Sequence, residues 1–410
     1  MNPFSYHTQF APCEHSTPLV SYVGDHWIHL QPHQKGWQQH TTRNLMDWIP
    51  ESCRVDDPMQ GRWSGSTFTH QGITFMLCST LHNNTHFSTL TLWQANPTLT
   101  HWQGSNKVVF YHPHHPFIQL AEPHIHTRNG RTYCLMTALL PNGKTAFVTF
   151  RMHTPHHWEF LSATLNLLAE PHQPLQFSPS LLHINDWDVL TYHSPGTGTN
   201  YALIGQFSEG HFNIQTAQVL NEGMGVHRPR LIDMDHYAIL NAQFNSPYHG
   251  PLTLPTQLQI TPAGEVHLKP FKLAKHLTKN PSKLYQQVTY QSEVLHLKPA
   301  YLLKLNLPSA SGTLLVELLS PTPTGGGIHL LFDTVGHTIT VHHPTRSCSV
   351  TGTLVGQDIH IYVDGPTIEV FNAGRALSLC IPEHPPGTYL VLKHLSGPCL
   401  STYSLFEHNP

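Results

Sequence analysis

Asp358-Ile-His-Ile-Tyr-Val-Asp364-Gly-Pro-Thr-Ile-Glu369-Val-Phe-Asn-Ala-Gly374 is the stretch whose reading decides the fold. It contains two short alternating strands, Asp358–Val363 and Thr367–Phe371. The same two-residue period, which places alternate side chains on opposite faces of a strand, recurs in Leu314–Leu319, Gly327–Thr334, His337–His342 and Gly387–Lys393. Together they predict a β-sandwich over residues 291–410. Pro321-Thr-Pro323 and Gly325-Gly-Gly327 mark a loop inside it. Working upstream, residues 266–290 break the pattern. They gather lysines, as in His267-Leu-Lys-Pro-Phe-Lys-Leu-Ala-Lys275, and read as a solvated linker that could carry a short helix.

Before that linker, apolar and aromatic runs alternate with turn residues every ten or so positions. Leu19–Tyr22, His26–Leu30, Thr74–Cys78, Thr132–Met136, Ala146–Arg151, Val189–Tyr192, Tyr201–Ile204 and Tyr237–Ala242 are examples. Helical periodicity is almost absent, so the chain is all-β. Four-strand groups repeated over residues 1–265 suit a β-propeller, whose radial sheets leave few exposed edges.

A length of 410 residues predicts two domains. Charged residues make up 11%, against roughly a quarter in an average soluble protein. The 36 histidines, with Gln, Asn, Thr and Ser, therefore supply most of the polar surface. A formal net charge of -3 argues against nucleic acid or an anionic membrane as partner. The start, Met1-Asn-Pro-Phe-Ser-Tyr-His7, has neither a basic nor an apolar leader region, and no apolar run approaches membrane-spanning length. Seven scattered cysteines read as reduced thiols. The expectation is a cytoplasmic protein, with a non-classical export route left open.

The opening stretch resembles the C-terminal sandwich signature of glycoside hydrolase family 32, the invertases, inulinases and levanases. Upstream segments fit the same family in order. Leu19-Val-Ser-Tyr-Val-Gly24 with Trp27-Ile-His-Leu-Gln31 is similar to its first hairpin, which ends in a substrate-contacting Gln. Trp37-Gln-Gln-His-Thr-Thr-Arg-Asn-Leu45-Met-Asp-Trp48 resembles W-x-x-A-x-S-x-D-L-x-x-W, and Trp63-Ser-Gly-Ser66 matches an aromatic-Ser-Gly-Ser motif. Gly250-Pro-Leu-Thr-Leu-Pro255 looks like its G-x-L-S-L-P segment. The resemblance implies a five-bladed propeller with an axial funnel, joined to a β-sandwich.

It also implies a chemistry that the residues do not support. Retaining glycoside hydrolysis needs two carboxyl groups about 5–5.5 Å apart, one a nucleophile and one a proton donor. The family places its nucleophile in N-D-P-N-G before the first hairpin. Here Glu14-His15-Ser16-Thr17-Pro18 stands there, with His15 in the nucleophile position. Glu14 could replace it only through a bulge or slip, because successive strand residues face opposite ways. The ring-holding R-D-P box appears as Ala121-Glu122-Pro123. It keeps a carboxylate on one extra methylene and loses the arginine that would pair with it. The acid/base box E-C-P-D appears as Phe177-Ser178-Pro179-Ser180, and Phe177 has no proton to give. Such a group is worth about 10²–10⁴ in rate.

Glu14, His15 and Glu122 are thus the candidate catalytic residues. Gln31, Trp37, Trp63 and Ser64, with Glu122, form the candidate subsite for a sucrose- or fructan-like carbohydrate. An indole can stack on a sugar face without catalytic machinery; the remaining tryptophans read as packing between sheets. Histidine pairs at His112/His114, His124/His126 and His342/His343 read as ordinary polar positions, so no metal or cofactor is expected. The leading expectation is fructose recognition with hydrolysis lost or strongly impaired. Two alternatives stay open. One is an active β-fructofuranosidase-type glycosidase or fructosyltransferase built on Glu14 and Glu122. The other is a structural or interaction protein that lacks a sugar site and associates through its sandwich.

Overall fold

Five short strands, Leu19–Val23, Arg62–His70, Gln119–Arg128, Ser180–Ile184 and Val226–Asp233, lie side by side in a closed ring. We refer to them as the first to fifth inner strands. In this computed structural model the first touches both the second and the fifth, and each of the others touches the next. The structure describes residues 19–407 except 24–25, 34–35, 44, 46–47, 52–53, 56–61, 82–87, 106–107, 112–116, 166–176, 222–225, 235–236, 245–251, 272–280, 299, 310, 343–348, 382–386 and 399. Among the described residues there is no helix.

Each inner strand opens a sheet that meanders outward, giving five sheets of four or five strands among the described residues. The tight returns that make this meander come from turn residues in the left-handed region. Gln71-Gly72 and Asn129-Gly130 are pairs with positive φ, which Gly and Asn tolerate best. Two sheets gain an outer strand from the preceding connection: Arg54–Val55 pairs parallel with His101–Ser105, and Val109–Tyr111 with His157–Leu165. Neighbouring sheets bury large aromatics between them, including Trp93, Trp102 and Trp158, all fully buried. This is a β-propeller, closed without a free inner edge.

Among the described residues from 266 to 290 there are two strands. Val266–Pro270 is the outer strand of the fifth sheet, and Lys283–Gln287 pairs with Thr402–Glu407 at the sandwich edge. Val266 and Leu268 pack into the apolar cluster beside this sheet, which explains why the lysine-rich stretch begins as a strand.

Among the described residues the remainder is a sandwich of two six-stranded sheets. Asp358–Asp364 and Thr367–Asn372 form a hairpin around Gly365-Pro366. Ile359, Ile361, Val363, Ile368 and Val370 fill the core between the sheets. Tyr362 and Phe371, on the opposite face, join Leu231, Leu254, Leu258 and Leu268 of the propeller in one apolar cluster. Both faces of this hairpin are therefore buried, one in the sandwich and one against the propeller. The two units meet through a continuous core rather than a solvated joint.

Candidate functional site

Two of the sequence-derived boxes, at Glu122 and Ser178, and a third residue-proline step at Arg228 converge on the axis through a repeated backbone irregularity. Glu122, Ser178 and Arg228 each precede a proline, and each has a positive φ, at 56°, 46° and 57° respectively. Residues before proline avoid such conformations, which cost about 1–3 kcal/mol each and cluster at functional positions. Glu122 sits where the third inner strand slips register between Ala121 and His124, and Arg228 where the fifth slips between His227 and Arg230. Ser178 lies just before the fourth. All three kinks turn side chains into one polar cluster.

Glu122 is 5% exposed. Its two carboxyl oxygens each accept one bond from Ser178, Oε2 from the backbone N–H and Oε1 from the hydroxyl at 3.1 Å. Its own N–H donates to Ser79 Oγ at 2.8 Å. Burial raises the Glu122 pKa above the ordinary carboxylate value, against the opposing pull of Ser178, Arg230 and Arg228. Arg230, 8% exposed, donates from Nη1 to the Pro179 carbonyl at 3.0 Å and from Nη2 to Ser64 Oγ at 2.7 Å. Burial lowers its pKa to about 10, so it stays charged at neutral pH.

Ser64 is buried in this cluster, on the second inner strand. Phe177 turns the other way. Fully buried, it packs edge-on to Phe147 beside Tyr192, while its carbonyl accepts the His193 N–H at 2.7 Å. Trp63 precedes Ser64 on the same strand, and Gln31 and Trp37 occupy the two facing strands of the first hairpin's continuation, His26–His33 and Gly36–Thr42. Glu14 and His15 lie outside the described residues. His124 and His126 stack on each other with ring centroids 6.3 Å apart; His124 bonds Leu181 O at 3.0 Å. Among the described residues no group of three or more His, Cys, Asp or Glu could hold a metal ion.

Arg228 and Arg230 are the functional-looking residues that sequence reasoning missed. For Arg228 alone a signal was present: Arg228-Pro229 repeats the residue-Pro step of Glu122-Pro123 and Ser178-Pro179 at the opening of an inner strand. A separate cavity of about 440 Å³ lies between the propeller and the sandwich. It is lined in part by Gln218, Glu265, His267 and Arg375, and shares no residue with the axial cluster.

The sequence signature of the glycosyl hydrolases family 32 N-terminal domain matches residues 26–259, more than half of the chain. The protein belongs to glycosyl hydrolase family 32. Structural likeness agrees with that membership. The Bombyx mori family 32 β-fructofuranosidase superposes with a TM-score of 0.79 at 16% identity, covering 99% of this chain and 94% of that one. The Aspergillus awamori exo-inulinase gives 0.81 at 12% identity, covering 99% and 98%. Sucrose-6-phosphate hydrolase from Lactobacillus gasseri gives 0.77 at 16%, covering 100% and 94%. A sequence search among curated proteins found no match. The propeller-plus-sandwich body is thus the fructosidase scaffold of family 32 from end to end.

Proposed function

We propose that this family 32 protein recognises a fructose-containing carbohydrate at the propeller axis and has lost, or nearly lost, the ability to hydrolyse it. The observation that carries this reading is Phe177. The residue aligned with the family's proton donor is a benzyl group, and it is packed among Phe147 and Tyr192. Glu122 remains as a hydrogen-bond acceptor, and each of its oxygens keeps a second lone pair beyond the one Ser178 occupies. Ligand chemistry is carried over from the relatives: a Bombyx mori β-fructofuranosidase variant is described in complex with sucrose, and a Schwanniomyces occidentalis enzyme with fructosyl-erythritol.

Calorimetry against fructose, sucrose and short fructans should give heat with at least one of them. Reducing-sugar release from sucrose, inulin and levan should fall below that of an ordinary family enzyme by about 10² or more, the usual worth of a missing acid/base group. Turnover at ordinary rates that disappears in Glu14→Gln or Glu122→Gln would instead establish a working glycosidase with relocated carboxylates. One observation favours that second reading: burial raises the Glu122 pKa, as a general acid requires. No heat with any of these sugars would leave a structural role.

A further inference from the structure

The polar cluster closes on itself about the propeller axis. Glu122 N–H donates to Ser79 Oγ, and the Ser79 hydroxyl to the Ser64 carbonyl at 3.4 Å. Ser64 Oγ accepts from Arg230, Arg230 also donates to the Pro179 carbonyl, and the preceding residue, Ser178, returns two bonds to Glu122. The belt therefore passes from the third inner strand to the second sheet, then to the fifth inner strand, then to the start of the fourth, and back. Four of its five connections join neighbouring segments or residues of one sheet. The Arg230–Ser64 bond does not: the fifth and second inner strands are separated by the first on one side and by the third and fourth on the other. Only a side chain as long as arginine, with donors at both ends of a rigid fork, makes that reach while also holding Pro179.

We propose that Arg230 is the positioning residue of the axial site: from the fifth inner strand it reaches past the first to Ser64, pins the Ser178-Pro179 step, and supplies the positive charge that keeps Glu122 oriented as acceptor for a sugar hydroxyl. The role rests on the sugar-binding reading above. It answers a local deficit, since Ala121 stands where an arginine beside the carboxylate would have served. A cation supplied from the fifth inner strand does the same electrostatic work and adds a tie between sheets. Among the described residues, the charged and titratable groups facing Glu122 are Arg228 and Arg230 on the fifth strand, with Ser178 as its hydrogen-bond donor. His124, on Glu122's own strand, is also within electrostatic range of Arg230, and its burial holds it neutral.

The test is a carboxyl ¹³C NMR titration of the full chain labelled at glutamate, with Glu122 assigned by its loss in Glu122→Gln. Arg230→Gln removes the charge and should move the Glu122 midpoint upward by about 1 pH unit or more, the usual effect of losing a nearby cation. Arg230→Lys keeps the charge and should leave it near the wild-type value. Ser64→Ala frees the far end of the fork and should produce a smaller upward movement; it serves as the deciding variant if Arg230→Gln does not fold. An unmoved midpoint in Arg230→Gln, or in Ser64→Ala where only that variant folds, overturns the proposal. Calorimetry with fructose on the same samples should show roughly tenfold weaker binding in Arg230→Gln at neutral pH, partly restored in Arg230→Lys. Absence of sugar heat in the wild type would refute the binding reading alone, because the titration needs no ligand.

Discussion

Acidification from pH 7 towards pH 4 is expected to destabilise this protein by several kcal/mol, with His126 as one of the buried histidines responsible. Its ring lies between Tyr133, stacked at 5.5 Å, and Phe207, edge-on at 4.9 Å, and neither ring nitrogen has a hydrogen-bond partner among the described residues. Burial, and secondarily Arg128, lowers its pKa from 6.5 to about 3. The unfolded chain therefore takes up a proton as pH falls through 6.5, whereas the native protein resists until about 3. Stability is complete above the upper value and is lost across that window, by on the order of 4 kcal/mol for this one group. His124 is lowered in the same direction by burial. Glu122 works oppositely: its raised pKa means the native state gains a proton first, so stability rises as pH falls through that value. A single carboxyl offsets only part of the histidine contribution.

Urea unfolding at intervals between pH 7.5 and 4 measures the effect. His126→Phe should flatten the curve and leave the protein more stable than wild type at pH 5, because the replacement fills the same aromatic slot and cannot be protonated. Parallel curves for the two proteins would show that His126 is not the group responsible.

How much of this was legible in the sequence differs between scaffold and site. The sandwich hairpin announced itself because Ile359, Ile361, Val363, Ile368 and Val370 recur with the two-residue period of a strand on either side of Gly365-Pro366. The propeller strands were readable because Gly and Asn at the returns and period-two runs between them act locally. The lysine-rich stretch after 266 was not, since Val266–Pro270 is fixed as a strand by the packing of Val266 and Leu268 into the cluster shared with the sandwich, a tertiary contact that overrides its composition. The boxes around Glu122 and Phe177 could be aligned, but their side-chain directions could not. Positive φ at Glu122 and Ser178 rotates neighbouring side chains to unexpected faces, which is how Phe177 goes into the core while Ser178 faces the carboxylate. Arg230 was invisible for another reason. Its partner Ser64 is 166 residues away, and nothing local marks an arginine that bonds a non-adjacent inner strand.

The same distinction gives the last expected result. Glu369 is 1% exposed and sits in the hairpin that first suggested the fold. Its Oε1 accepts the Leu254 N–H at 2.6 Å, and its Oε2 the Ser378 hydroxyl at 3.1 Å. Ser378 is itself doubly bonded to Asn221 of the fourth sheet, through its N–H to Oδ1 at 3.2 Å and its Oγ from Nδ2 at 3.0 Å. Two segments that resemble the family in sequence, the sandwich hairpin and Gly250–Pro255, thus meet at one carboxylate. Glu369→Ala should leave the Leu254 amide and the Ser378 hydroxyl buried without acceptors, costing roughly 2–6 kcal/mol at about 1–3 for each. Because the bond joins the two units, the loss should also separate their unfolding into two transitions, where the wild type shows one. Glu369→Gln keeps the shape and one carbonyl oxygen for Leu254, and should cost distinctly less. Hydrogen exchange at the Leu254 amide supplies the local measure, faster in the alanine variant than in the glutamine one. Equal exchange in wild type and Glu369→Ala, with a single unshifted urea transition, would mean that the apolar cluster around Tyr362 and Phe371 holds the two units together without this carboxylate.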